Sequence, residues 1–265
     1  AATATVAPPT PTPKPVTLRF GAASSASDGG IYIAIEKGYF KEQGLDVQYV
    51  PFQSGAMTIA PLSSGEIEIA GGAISTGLLN AIDRGVALKI VAGKGSSVKG
   101  FEFSQVTVRK DLFDSGQIKD VKDLRGKKFA VGSLQSGPEA TVAYLVKQAG
   151  LSLKDIELVA MGYPDMVAAY ANKAIALAQQ IEPNLNAAVE RGLAVRWAPG
   201  ATSAIYGGEY QAAQVFFSEQ FSKNVDAARR FMIGFLKGSR DYNDAFVKGK
   251  NKAEVIAFLT RYTPE

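Results

Sequence analysis

Apolar and polar positions alternate over residues 16–20, as they do in a half-buried strand, and the period lengthens to that of a helix over residues 31–37. Between them, residues 21–30 form a loop rich in Gly, Ala and Ser, with Asp28 placed to cap the helix and Gly38 to stop it. The grammar then repeats: strand 45–52, loop 53–55, helix 56–63, strand 67–70, loop 71–75, helix 76–83, strand 88–92. Strands alternating with short helices predict a largely parallel sheet covered on both faces.

A charged stretch, residues 109–128, interrupts this rhythm, and a second set follows. It reads strand 128–132, loop 133–137, helix 138–148 with Pro138 in its first turn, strand 156–161, loop 162–165, helix 166–172, strand 175–180 and helix 185–191. From about Tyr206 the chain is expected to return to the first unit and to end in helices over 227–237 and 253–262. Phe231 with Phe235, and Met232 with Leu236, stand at i, i+4 spacing and read as a core stripe. The fold class is therefore α/β with two lobes, each a mainly parallel sheet flanked by helices. Its expected parts are residues 1–15, 16–107 in lobe 1, 108–205 in lobe 2, and 206–265 back in lobe 1. Residues 1–15 are almost wholly Ala, Thr and Pro, which forbids helix and predicts an extended tether of roughly 45 Å.

Composition narrows the chemistry. The chain has 265 residues, 46% hydrophobic and 20% charged, enough apolar content for a real core. Its net charge of +4 is spread without a block of like charges, which argues against a nucleic-acid partner. Neither Cys nor His occurs, so thiol and imidazole chemistry, disulfides and the usual transition-metal sites are excluded. No EF-hand, P-loop or dinucleotide spacing is present, and no cofactor or metal is expected. No apolar run approaches the roughly 18 residues of a membrane helix.

In open parallel sheets small molecules bind where strand ends lead into helix N-termini. Those loops carry Ser24, Ser25, Ser27, Asp28 and Gly29, then Gln53 and Ser54, Ser75 and Thr76, Gln135 and Ser136, and Tyr163 with Asp165. Free backbone N–H groups beside hydroxyl and amide side chains suit an organic anion; for each residue taken alone, a capping or loop role is the competing reading. Glu182, at the end of a buried strand before Pro183, reads either as a ligand contact in the interlobe space or as an ion-pair partner at a helix start. Phe101, Phe103, Tyr163, Trp197 and Tyr206 lie near the expected lobe crossings, as packing residues or as stacking surfaces for a planar ligand.

The run Ile31-Tyr32-Ile33-Ala34-Ile35-Glu36-Lys37-Gly38-Tyr39-Phe40, followed by Glu42-Gln43-Gly44-Leu45-Asp46-Val47, resembles the opening signature of the NMT1/THI5-like, or SsuA-like, substrate-binding proteins. Pro61 to Ala70 is similar to that family's helix, glycine turn and strand; Asp123-Leu124-Arg125-Gly126-Lys127-Lys128 resembles its entry into the second lobe, and Glu182-Pro183 also fits. The resemblance implies a type II periplasmic-binding-protein fold with a double crossover and a ligand cleft that closes by hinge motion. It implies an extracytoplasmic, monomeric component of an ABC importer that passes a small-molecule ligand to a membrane permease, with a lipid anchor upstream of the tether. Relatives bind nitrate, bicarbonate, alkanesulfonates, taurine or pyrimidine precursors of thiamine. The pyrimidine synthase that shares the family name needs a histidine and cysteines that this chain lacks. Two departures stand out: Ala176 occupies a position where relatives commonly carry Asp, and relatives often continue beyond a helix like 253–262.

Two other functions compete. An enzyme would use Glu182 or Asp165 as base beside Lys94 or Lys99; a sensor ectodomain would pass closure to a signalling partner.

Overall fold

The computed structural model describes residues 15–98, 102–197 and 207–263. The expected tether, apart from Pro15, together with Lys99, Phe101 and Tyr206, lies outside the described residues.

Two five-stranded sheets share one plan. The first contains β1 (Val16–Ala22), β2 (Leu45–Pro51), β3 (Ile69–Gly72), β4 (Lys89–Val98) and β10 (Glu209–Phe217) in the order β2-β1-β3-β10-β4. The second contains β5 (Ser104–Arg109), β6 (Lys128–Val131), β7 (Glu157–Ala160), β8 (Leu177–Ile181) and β9 (Ala194–Arg196) in the order β7-β6-β8-β5-β9. β1 runs parallel to β2 and β3, and β6 parallel to β7 and β8. One strand in each sheet is reversed: β10 is antiparallel to β3 and β4, and β5 is antiparallel to β8 and β9.

The chain crosses between sheets after β4 and again after β9, so the reversed strands are the ones that follow a crossing. β5, β9 and β10 were not expected from the hydrophobic pattern. The boundary expected between residues 107 and 108 falls inside β5, whose pairing lies wholly in the second sheet.

Among the described residues the α-helices are α1 (Gly29–Glu36), α2 (Ile59–Ser64), α3 (Thr76–Asp83), α4 (Lys110–Asp114), α5 (Gly137–Gln148), α6 (Tyr163–Ala171), α7 (Asn184–Glu190), α8 (Glu219–Lys223), α9 (Val225–Lys248) and α10 (Lys252–Tyr262). α2 opens as a 3-10 turn over Gly55–Thr58, and Pro61 sits in its first α-helical turn, where a missing N–H costs no intrahelical bond. α9 begins where the Asn224 side chain accepts from the Ala227 N–H at 3.1 Å and ends at Gly249, whose φ of 72° is left-handed.

Phe20, Phe40, Phe217, Phe231 and Phe235 form the centre of the first lobe's core, and Phe129, Val131, Val142 and Val146 that of part of the second. The expected stripe on α9 holds only in part: Phe231 and Phe235 are buried, Met232 packs at the core's edge, and Leu236 is exposed. The face beside Phe231 and Phe235 continues instead through Gly234, which packs against the Phe40 ring, and Gly238, where α1 crosses at backbone contact. A Cβ on Gly238 would collide with the Gly30 carbonyl, and one on Gly30 would lie 2.5 Å from the Ser239 hydroxyl.

Candidate functional site

A cavity of about 50 Å³ lies between the lobes. Ala23, Ser25, Ser27, Gly71, Lys94 and Tyr210 line it from the first lobe; Phe103, Ser104, Pro138, Tyr163, Gln179 and Ile181 line it from the second. Most of these residues stand at or just beyond strand ends, where a parallel sheet leaves room for a small molecule.

Lys94 is the one charged residue in that lining. β4 carries it between Gly93 and Gly95, and both Gly95 and Gly71 are there for space. The lysine stem passes over Gly71, where a Cβ would lie 2.6 Å from Cε, and Gly95 admits Ser27 equally closely. Lys94 Nζ consequently reaches Ser27 Oγ at 2.7 Å and Asp28 Oδ1 at 2.5 Å. The pair is almost out of water, with 3% of the lysine side chain and none of the aspartate exposed.

Asp28 does not cap α1 with its side chain as expected. Its Oδ2 accepts from the Ser25 N–H at 3.0 Å, the Ser25 hydroxyl at 3.1 Å and the Tyr49 hydroxyl at 3.4 Å. Two requirements of a buried carboxylate, a counter-charge and several donors, are thereby met.

An aromatic layer supports this pair from behind. Tyr32 OH donates to Tyr49 OH at 3.2 Å, and the Tyr262 ring from α10 stacks on Tyr32 with centroids 4.5 Å apart. Burial first, then the Asp28 carboxylate, pushes both the Tyr32 and Tyr49 hydroxyls far above the usual tyrosine range, so they stay protonated donors. Tyr163, also buried, is pushed up to about 12.

The lobes touch directly. Ser75 and Ser136 form an antiparallel bridge across the cleft, and the Thr76 N–H donates to the Gln135 carbonyl at 2.7 Å. The Tyr163 N–H donates to the Gln53 carbonyl at 3.2 Å, and the Ala26 N–H to the Glu182 carbonyl at 3.1 Å. This is a closed arrangement.

Of the residues expected to bind a ligand, Ser25, Ser27 and Tyr163 line the cavity and Asp28 stands directly behind Lys94. Gln53, Ser75, Thr76, Gln135 and Ser136 join the lobes at the rim. Ser24, at a left-handed φ of 49°, gives its N–H to Tyr49 OH at 2.7 Å; Ser54 is buried at the turn before α2; Gly29 packs against the Tyr242 ring. None of these three lines the cavity.

Glu182 turns away from the cavity: its carboxylate binds Arg196 at 2.9 Å and the Asn186 N–H at 3.0 Å at the start of α7, and only its backbone reaches the other lobe. The Glu182–Pro183 peptide is cis. Glu182 is held by Arg196 and Lys94 by Asp28, so these two do not form the acid–base pair considered for an enzyme. Trp197 packs against the second lobe's core and Ala176 is buried within it. Lys94, Ser104, Gln179 and Tyr210 were not expected as ligand residues. The one signal for Lys94 was a lone charge between two glycines in a strand.

Gln179 sits on β8, a strand buried along its whole length, and its amide N–H donates to Ser104 Oγ. Its Oε1 is buried without a hydrogen-bond partner. A lining of this kind can hold a small solute through one charge-assisted donor, a few hydroxyls and an amide, between the rings of Phe103 and Tyr163.

The sequence pattern of the NMT1/THI5 like family matches residues 26–244, taking in α1, both crossings and most of α9. The chain belongs to the NMT1/THI5-like family. A relative named as a binding protein in Brucella abortus (strain 2308) is 27% identical over 219 residues, which make up 80% of this chain. This NMT1/THI5-like chain spans 62% of the length of that relative, and the same holds for its counterpart in Brucella suis.

Among solved structures, the alkanesulfonate-binding protein SsuA from Xanthomonas axonopodis pv. citri, bound to MOPS, superposes with a TM-score of 0.71 at 19% identity, covering 96% of this chain and 86% of that one. The periplasmic nitrate-binding protein NrtA from Synechocystis gives 0.72 at 17% identity, covering 94% and 66%. These likenesses establish the two-lobed periplasmic-binding-protein fold. Among the described residues no helix is long and apolar enough to cross a membrane.

Proposed function

We propose that this NMT1/THI5-like protein is the solute-binding component of an ABC importer, working outside the cytoplasmic membrane and delivering its ligand to a membrane permease. The ligand class is a small organic anion or a nitrogen- or sulfur-containing metabolite, captured by closure of the two lobes. One observation carries the reading: the cavity takes its walls from both lobes, while backbone hydrogen bonds at its rim join one lobe to the other. Such a site exists only when the lobes are together, so binding and closure are one event. The binding-protein names of its relatives support the same reading.

A clamp at the rim tests it. Residues paired across an antiparallel bridge have Cα atoms about 4.5–5.5 Å apart, within disulfide range. Ser75 and Ser136 are so paired, and the chain has no other cysteines to interfere. The Ser75→Cys/Ser136→Cys protein, oxidised after incubation with a metabolite extract, should retain a small solute through exhaustive dialysis and release it on reduction. Equal retention in the oxidised and reduced forms would refute capture by closure.

A further inference from the structure

Which solute the cleft takes follows from the hydrogen-bonding groups that closure leaves over. Five backbone donors at the cleft that would suit an anion are engaged by the chain itself. The Ser25 N–H is taken by Asp28, the Leu78 N–H by Ser75 Oγ at 3.2 Å, and the Gln135 N–H by the Glu139 carboxylate at 2.7 Å. The Thr76 and Tyr163 N–H groups are taken by carbonyls of the opposite lobe.

Lys94 is already matched by Asp28, so an anion on Lys94 would place two negative groups on one ammonium and leave a net negative charge away from water. What remains is complementary to something else. An ammonium has three N–H bonds, and Ser27 and Asp28 take two of those on Lys94. Gln179, on the opposite wall, has a buried carbonyl oxygen without a partner.

We propose that the solute is electrically neutral and carries an acceptor beside an N–H donor, as a primary carboxamide, a lactam or a urea does. The acceptor meets the third N–H of Lys94 and the donor satisfies Gln179 Oε1, with the Phe103 and Tyr163 rings enclosing the apolar part. The proposal rests on the solute-capture reading and selects, within its ligand class, the uncharged nitrogen compounds.

The test is a calorimetric titration at pH 7.5 with shape-matched probes, acetamide against acetate and propionamide against propionate, together with urea, 2-pyrrolidinone, nitrate and methanesulfonate. The amides are expected to bind at least about tenfold more tightly than their carboxylates, the discrimination that one buried hydrogen bond confers. Gln179→Met should weaken amide binding by at least about tenfold. If that variant does not keep the wild-type circular-dichroism spectrum, Gln179→Asn, which withdraws the carbonyl by one methylene, is read in its place.

Tighter binding of carboxylates, nitrate or methanesulfonate would overturn neutrality and leave solute capture standing. If no probe binds but native mass spectrometry shows a low-mass species retained from a metabolite extract, the charge of that species decides: a neutral amide supports the proposal and an anion overturns it. No bound probe and no retained species would overturn the capture reading and the ligand class with it.

Discussion

Replacing Lys94 by Met removes the counter-charge of a carboxylate that has no exposure to water. Removing one partner of a buried ion pair costs about 3–5 kcal/mol, because the other charge is left without compensation. Asp28 retains the Ser25 N–H and hydroxyl and the Tyr49 hydroxyl as donors, which places Lys94→Met near the lower end, at about 3 kcal/mol. Asp28→Asn leaves an ammonium with two neutral acceptors and should cost a similar amount.

The double variant contains no buried charge at this point and should be destabilised by at least about 2 kcal/mol less than the sum of the single changes. Urea unfolding followed by far-ultraviolet circular dichroism measures all three, provided the slope with urea stays constant. Additivity within about 0.5 kcal/mol would refute the coupling, and with it the view that Asp28 and Lys94 act as one neutral unit in the cleft.

Other consequences are independent of the ligand. Gly238→Ala drives a methyl into the Gly30 carbonyl where α1 crosses α9, and should cost about 1–3 kcal/mol in urea unfolding; a loss under 0.5 kcal/mol would mean that the helices are not at backbone contact. Glu182→Gln breaks a half-exposed pair with Arg196, so unfolding should change by less than about 1 kcal/mol and solute binding not at all; lost binding would return Glu182 to the site.

The Asp241 carboxyl is held below its usual 3.8: burial alone would raise it, but hydrogen bonds from Lys37 and Tyr39 and the Lys37 charge outweigh that. A depressed carboxyl stabilises the fold above its unfolded pKa and loses that contribution as pH falls through the folded value. Asp241→Asn should therefore show a shallower loss of stability than wild type below about pH 4, and parallel acid-unfolding curves would exclude this contribution.

The parallel parts of both sheets were legible because their strands are short apolar runs separated by glycine-marked loops and helices with a 3.6 period. The reversed strands were not. β5 is the sequence Ser-Gln-Val-Thr-Val-Arg at the edge of a charged stretch, and nothing local indicates that it pairs with residues about seventy positions later. The loops at the cleft were legible, because Ser25 and Asp28 stand in a Gly- and Ser-rich turn after a strand. Their roles depended on distant partners: Asp28 reads as a helix cap until β4 brings Lys94 beside it, and Glu182 stays open between ligand contact and ion pair until β9 supplies Arg196. Gln179 was hidden by its setting, a polar residue within a buried apolar strand.

The place of β10 bears on how the chain acquires its shape during synthesis. β10 lies between β3 and β4, so the first sheet has an empty lane beside its edge strand β4 until residues 209–217 leave the ribosome. The second sheet draws all five strands from residues 104–196, one continuous stretch. The later-starting lobe is thus the first whose strands are all available, and the lobe that begins the chain waits on a pairing between residues more than a hundred positions apart. Pulsed proteolysis of chains stalled after residue 196 should find the second lobe protected and β1 to β4 still cleavable. Protection of both lobes at that length would show that the first sheet forms without β10.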